Sequence, residues 1–306
     1  MKITVVGAGN VGATLAQRLI EKDFADIVLV DVIEGIPQGK ALDMRQSANV
    51  IGFTHQITGS NSYETTAGSD IVVVTAGIAR KPGMSRDELV GINARIVREV
   101  IEKSIALSPH AVFVIVSNPV DAMTYLALKV SKLPRNRVFG LSGVLDGGRL
   151  AAFIAEELAV NAPEVTPCVM GEHGSSMVVY PRFTIVGGKP LSELVDEAKQ
   201  KALAERTVNG GAEIVAIMKT SSAFYAPSAS VAHMVTAVAT DSGAMMNCAA
   251  CLEGEYGLSD VVIGVPVKLG RAGIRKIIEL QLNAEELAAL KRSAEAVSKT
   301  IAALPK

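Results

Sequence analysis

A doubly wound parallel α/β sheet followed by an α+β half is the fold class that these 306 residues predict. Three observations carry that prediction. Residues 1–31 read strand, glycine turn, helix, strand, acid. Short β-branched apolar runs then alternate with helical patterns to about residue 140, the order of repeated βαβ units. Beyond that point the alternation is lost and the order becomes mixed.

In the first unit, residues 3–6 form an apolar run that meets Gly7-Ala8-Gly9-Asn10-Val11-Gly12. The helix that follows carries Val11, Leu15, Leu19 and Ile20 on one face. A second apolar run, 27–30, ends in Asp31. This is the glycine fingerprint of a Rossmann-type dinucleotide site in the context that it requires. Gly7 permits the tight turn, Gly9 lets the backbone approach a pyrophosphate, and Gly12 lets helix and strand pack closely. The helix start at Asn10 and Val11 offers free N–H groups and a positive dipole end. Asp31 lies ~20 residues past the last glycine, where a carboxylate accepts from both ribose hydroxyls and repels a 2′-phosphate. NAD is therefore expected over NADP.

After Asp31, residues 41–44 continue a helical pattern and 55–58 read as a short strand. Residues 71–74 are a fully buried strand by composition, ending at Thr75-Ala76-Gly77. A loop at 78–84 leads to Ser85-Arg-Asp-Glu88, a capping box that opens a long helix to about Leu107. Residues 111–116 form the next strand and run into Ser117-Asn118-Pro119; Asp121 begins another helix, and 137–139 make a short strand. The spacing gives a nucleotide-binding domain over 1–143 and a substrate domain over 144–306, with the helix 144–160 as the hinge. In the second half, 165–170, 182–186 and 261–267 read as strands, and 193–218 and 228–239 as helices. Asn283 and Glu286 make a second capping-box start for a final helix to about Ala303. No repeat or Pro/Ser linker separates the halves, so they are expected to pack closely.

Composition narrows the function. With 49% hydrophobic residues and a net charge of −1, the chain can bury a sizeable core and shows no basic stripe. Nothing in it asks for nucleic acid or a membrane surface. The longest apolar candidate, 111–130, is interrupted by Asn118, Pro119 and Asp121. No signal peptide or Arg-rich leader precedes the first strand, so the expected compartment is the cytoplasm. Cys168, Cys248 and Cys251 are read as structural thiols; Cys248 and Cys251 have redox-like spacing but no second Cys/His pair nearby.

Oxidation of a hydroxy acid needs a base for the hydroxyl proton, a cation for the carboxylate and donors that polarise the carbonyl in reverse. His173, in Gly171-Glu172-His173-Gly174 after a strand, is the candidate base. His55, His110 and His233 fall in a strand pattern, a polar turn and a helix. Read alone, such a residue is more often an ordinary loop histidine than a base. Asp146 and Arg149 are three apart and share a helix face. The first suits the acid that holds a histidine tautomer and the second a two-pronged carboxylate grip, though a surface ion pair fits the same spacing. Arg80 and Arg86 flank Pro82-Gly83 and read as a lid over an anion, or as a solvated basic loop. Asn118 lies at a C-terminal strand end, the edge where such sheets bind ligands.

These pieces resemble the lactate/malate dehydrogenase superfamily over essentially the whole chain, and within it the lactate-dehydrogenase-like malate enzymes. The matching stretches are VGAGNVGATLA, DIVLVD, QGKALDM, VVVTAGIARKPGMSRDELV, VSNPVDAMTYLA, GLSGVLDGGRL, MGEHGSSMV and SSAFYAPS, in order. The resemblance implies that His173 accepts the proton, with Asp146 its partner. It implies that Arg149 clamps the C1 carboxylate, Arg86 polarises the reacting carbonyl and Arg80 sets substrate choice. It implies that Gly7 to Gly12 and Asp31 bind NAD, that Asn93, Val116 and Asn118 line the cofactor groove, and that Asn118 also faces substrate. A homotetramer or homodimer is implied as well. Oxaloacetate carries one more carboxylate than pyruvate, and Arg80 offers that charge a partner. Ala223 resembles the small residue of malate enzymes where lactate enzymes often carry Thr.

Departures from the family pattern are Glu172, Ser175, Val179, Gly147-Gly148 and Ser221; none removes a catalytic group. The rival readings are a lactate or broad 2-hydroxy-acid dehydrogenase and a non-catalytic NAD sensor. An intact His173, Asp146, Arg149 and Arg86 set argues against the sensor.

Overall fold

The apolar runs become strands because helices cover both faces of the sheet that they build. In the computed structural model, which describes residues 1–78 and 84–305 with only the backbone at Arg86, six of them pair in parallel. These are β1 (Lys2–Val6), β2 (Asp26–Val30), β3 (Ile57–Ser60), β4 (Ile71–Val74), β5 (Val112–Ile115) and β6 (Val138–Gly140). Their spatial order is β3-β2-β1-β4-β5-β6. Every residue of β4 and β5 is buried, the near-continuous apolar composition of a sheet shielded on both sides. The order reverses beside β1, between β2 and β4, so the crevice at that switch point opens at the carboxyl ends of the strands.

The covering helices are α1 (Asn10–Ile20), α2 (Ile36–Gln46), α3 (Ala48–Ile51), α4 (Arg86–Leu107) and α5 (Val120–Ser131). The capping box at α4 is present: Ser85 Oγ accepts the Glu88 N–H at 3.1 Å and the Glu88 carboxylate accepts the Ser85 N–H at 2.8 Å. A cap of this kind stabilises a helix start by about 1 kcal/mol. α6 (Gly143–Leu158) leads into the second half.

There the strands β7 (Val165–Thr166), β8 (Val169–Met170), β9 (Val178–Val179), β10 (Ile185–Val186) and β11 (Lys189–Pro190) are short. The helices α7 (Leu191–Leu194), α8 (Glu197–Met218) and α9 (Tyr225–Ala239) follow. Next comes an antiparallel meander, β12 (Met245–Glu253), β13 (Ser259–Gly270) and β14 (Gly273–Ile277), closed by α10 (Ala284–Ala302). The meander continues the main sheet past β6, where Ala249 stands opposite Gly140. The second half is therefore α+β with antiparallel pairs, as expected, yet it shares the first half's sheet. The start of α10 carries the expected reciprocal cap, with Asn283 Oδ1 accepting the Glu286 N–H at 2.9 Å and the Glu286 carboxylate accepting the Asn283 N–H at 2.8 Å.

Four local readings change. Residues 193–218 are two helices, because Asp196 caps a new start by accepting the Lys199 N–H at 2.8 Å. His55 precedes its strand, drawn away by Asp23, which binds both its backbone N–H and its ring. Pro167 and Cys168 split the strand expected over 165–170. β12 carries no strand signal in the sequence, since Met, Cys and Ala replace the β-branched residues that mark one. One apolar core joins α1 and β1 to α9, β12, β13 and α10, and a second lies under α4 and α5. Among the described residues no helix is long and apolar enough to cross a membrane.

Candidate active site

The glycine turn is built for close approach. Gly7 has φ +107°, where a side chain is strained, and its N–H binds Val30 O at 2.7 Å to tie the turn to β2. A Cβ on Gly12 would fall 1.8 Å from Gly7 O and 2.7 Å from Thr75 Oγ1, so only glycine lets α1 start this near β1 and β4. A Cβ on Gly9 would meet nothing within 4 Å. The open space lies at Gly9, the N-cap of α1, where the first N–H groups of the helix begin and where a pyrophosphate would sit.

Asp31 ends β2 beside this turn. One carboxylate oxygen accepts the Ala8 N–H at 2.6 Å and the other the Ile33 N–H at 3.0 Å. Each oxygen keeps a further lone pair for a hydroxyl. Lys40 donates to Ala8 O at 2.6 Å from the opposite side. The open space at Gly9 and the remaining lone pairs of Asp31 fit a group such as the adenosine and pyrophosphate part of NAD.

Below the turn lies a cleft of about 410 Å³, walled by Val11, Thr75, Asn93, Val116, Asn118, Arg149, His173 and Ala223. It brings together predicted residues from six separate stretches. Asn93 is 1% exposed and acts as a brace: its amide donates to Ile78 O and Asn118 O and accepts the Ile78 N–H. Both of its donors are engaged within the protein. Asn118 leaves its own side chain exposed on the cleft, with no hydrogen bond to it among the described residues. Asn10 reaches across to Ser221 Oγ at 3.4 Å, linking the turn to the loop that carries Ala223.

At the floor, Asp146 is 1% exposed and uses both oxygens. Oδ2 takes His173 Nδ1 at 2.7 Å and Oδ1 takes Arg149 Nη1 at 3.1 Å. Burial works against a charged His173 ring, but the Asp146 carboxylate and then Asp121 outweigh burial and the Arg149 charge, so the imidazole sits above its ordinary value. Two glycines of α8 make room for Arg149: a Cβ at Gly210 would stand 3.1 Å from its Cδ, and one at Gly211 3.3 Å from its Nη2. Arg80 lies outside the described residues, and so does the side chain of Arg86, whose backbone begins α4.

Sequence reasoning missed two contributors. Gly210-Gly211 carries a signal, since paired glycines inside a helix cost about 1 kcal/mol each and call for a packing reason. Asp121 carries one too, as an acid in the first turn of a helix. In the fold it is 3% exposed and accepts the His173 backbone N–H at 2.8 Å. Burial pushes its carboxyl up to about 7, against the His173 N–H and ring. The expected structural reading of the cysteines agrees with the fold: all three are free and buried.

Known proteins match the chain over nearly its whole length. Residues 1–140 match the lactate/malate dehydrogenase NAD binding domain, and 143–304 the lactate/malate dehydrogenase alpha/beta C-terminal domain. A malate dehydrogenase of Dehalococcoides mccartyi is 68% identical over 303 residues, covering 99% of each chain. One of Roseiflexus sp. is 50% identical and covers 99% of this chain and 98% of its own. Among solved structures, a malate dehydrogenase from Salinibacter ruber superimposes with a TM-score of 0.95 at 47% identity, covering 99% of this chain and 97% of that one. A lactate dehydrogenase from Cryptosporidium parvum, complexed with lactic acid and its nicotinamide cofactor, gives 0.95 at 37%, covering 98% and 96%.

Proposed function

The chain belongs to the lactate/malate dehydrogenase family, and from that premise we propose that it is an NAD-dependent malate dehydrogenase interconverting (S)-malate and oxaloacetate. The observation that supports this most is the Asp146 carboxylate, bonded at once to His173 and Arg149 at the base of the cleft. We read residues 1–143 as the NAD-binding part and 144–306 as the part that supplies most of the substrate groups.

In our reading the Asp146 carboxylate accepts from Nδ1–H of His173, which leaves Nε2 as the ring nitrogen that exchanges a proton with substrate. In our reading Nε2 takes the malate hydroxyl proton as C2 gives up its hydride, and returns the proton in reduction. Bound NAD supplies the hydride acceptor. Arg149 grips the C1 carboxylate, Arg80 the C4 carboxylate and Arg86 the reacting oxygen, with Asn118 beside the hydroxyl. A dianion in a closed site without a second cation costs several kcal/mol, which is why Arg80 favours oxaloacetate over pyruvate. Gly7, Gly9, Asn10, Val11 and Gly12 cradle the pyrophosphate, Asp31 holds the ribose, and Asn93, Val116 and Asn118 shape the nicotinamide end.

Assembly as a homotetramer or homodimer is part of the proposal. Leu42, Val50 and Ile51 of α2 and α3 are 46%, 84% and 50% exposed, apolar surface that a second copy would cover. A cytoplasmic location suits three free thiols. NADH oxidation measured with oxaloacetate beside pyruvate tests the activity: a higher kcat/KM for pyruvate would replace malate with lactate. A light-scattering mass tests the assembly.

A further inference from the structure

Two carboxyls, not one, hold the catalytic histidine. Asp146 approaches the ring from α6, through Nδ1. Asp121 approaches the backbone from the first turn of α5, taking the His173 N–H on Oδ2 at 2.8 Å. Its other oxygen, Oδ1, is buried and has no hydrogen-bond partner among the described residues. A buried carboxylate oxygen without a partner costs on the order of 1–3 kcal/mol, more when charged. Among the described residues the packing of α5 against α4 is apolar. Val90, Ala94 and Val97 of α4 meet α5 through apolar contacts with Val120, Ala122 and Met123. The ion pair of α5 with β13, Lys129 to Asp260, lies at the far end of the helix.

We propose that Asp121 is a positioning residue for His173: by holding its backbone N–H it fixes where the ring stands in the cleft, and by its charge it adjusts how firmly the ring keeps a proton. The proposal rests on the reading of His173 as the proton acceptor. Among the described residues, the charged groups facing the pair are Asp146 and Arg149 from α6 and Glu172 from the loop itself. α10 contributes the uncharged Ser293, whose Oγ accepts the Glu172 N–H at 2.7 Å and so anchors the same loop from the other side. The imidazole is thus fixed at its ring by Asp146, at its backbone by Asp121 and one residue earlier by Ser293. Because burial sets the Asp121 carboxyl near neutrality, its ionisation falls in the range where His173 works.

Asp121→Asn separates the two roles, since an amide oxygen still accepts the N–H but carries no charge. The chain has four histidines, so ring-labelled histidine resonances, identified with His173→Asn, give the His173 titration without substrate. The expected result is a His173 midpoint lowered by about half a pH unit or more in Asp121→Asn, with the base limb of kcat/KM for malate moving with it. Asp121→Ala, which also loses the acceptor, should lower kcat at least about tenfold below Asp121→Asn while NADH affinity holds. An unmoved His173 midpoint in Asp121→Asn overturns the proposal, as does equal kcat in the two variants. Should neither variant fold, the wild-type His173 ring is titrated instead, and a midpoint at or below the ordinary 6.5 overturns the proposal. A shifted midpoint in a protein that turns over no 2-keto acid keeps the proposal and sinks the malate reading.

Discussion

Asp146 and His173 meet at 2.7 Å, and the same chain holds a second pair, Asp23 and His55, at 2.8 Å. Distance does not separate them; surroundings do. The first pair is 1% and 14% exposed, the second 32% and 33%. Water screens the exposed pair, while the shielded one keeps its electrostatic hold. Asp146→Asn should therefore lower kcat about a thousandfold or more by releasing the wrong tautomer. Asp23→Asn should leave kcat within about twofold, since surface pairs contribute little. Steady-state rates of the two variants decide this; equal losses would remove Asp146 from its role.

The direction of proton transfer fixes a pH pattern. Malate oxidation needs neutral His173, and oxaloacetate reduction needs it protonated. The ring lies above the ordinary 6.5, so kcat/KM for malate should fall as pH drops through a midpoint above 6.5, and that for oxaloacetate should fall as pH rises through it. The same raised value means that protonation of His173 adds stability below its unfolded value, a contribution lost as pH rises through the folded one. Paired pH profiles in the two directions check the first statement, and His173→Asn melting curves at pH 6 and 9 the second.

Arg149→Lys keeps the charge and removes the fork. Two parallel donors become one point charge, and the space made by Gly210 and Gly211 is left part empty. The expected outcome is a loss of roughly a hundredfold in kcat/KM for oxaloacetate, with NADH affinity intact by fluorescence titration. An unaltered kcat/KM would show that Arg149 does not touch the substrate.

Arg80→Gln removes the cation that we pair with the second carboxylate. Oxaloacetate turnover should drop by roughly a hundredfold or more, a few kcal/mol of unpaired charge, and pyruvate should improve relative to it. A purified variant that keeps its oxaloacetate preference would clear Arg80 of that assignment.

Gly9→Ala and Gly12→Ala should fail differently. At Gly9 the new methyl enters open space, so the melting temperature should hold while NADH binding weakens. At Gly12 it would collide with Gly7 O at 1.8 Å, so folding itself should suffer, by several °C in Tm. Melting and NADH titration of both variants give four numbers, and the expected pattern is a loss of binding without a loss of Tm at Gly9 alone.

Most of the first half of the fold is legible because its signals are local, His55 with its distant partner Asp23 being an exception. A glycine turn, a β-branched run or a capping box needs only its neighbours, and β4, α1 and α4 stand where those signals put them. The second half depends on distant partners. β12 is a strand because β13 and β6 flank it, although its Met, Cys and Ala side chains do not ask to be one. The site shows the same division. His173, Asp146 and Arg149 could be named from spacing and resemblance, but Asp121 could not be tied to His173, which lies 52 residues further on. The acid reads locally as a helix start; only the folded chain turns it toward the loop.

The single pairing of Ala249 with Gly140 has a practical consequence. It is where the parallel strands hand over to the meander, so a fragment cut at residue 143 would bare the β6 edge and strip α1 of the α9 surface against which it packs. Open strand edges recruit other chains. The nucleotide-binding sequence is thus not a self-sufficient body, and expressing it alone should yield aggregates instead of a working half-enzyme.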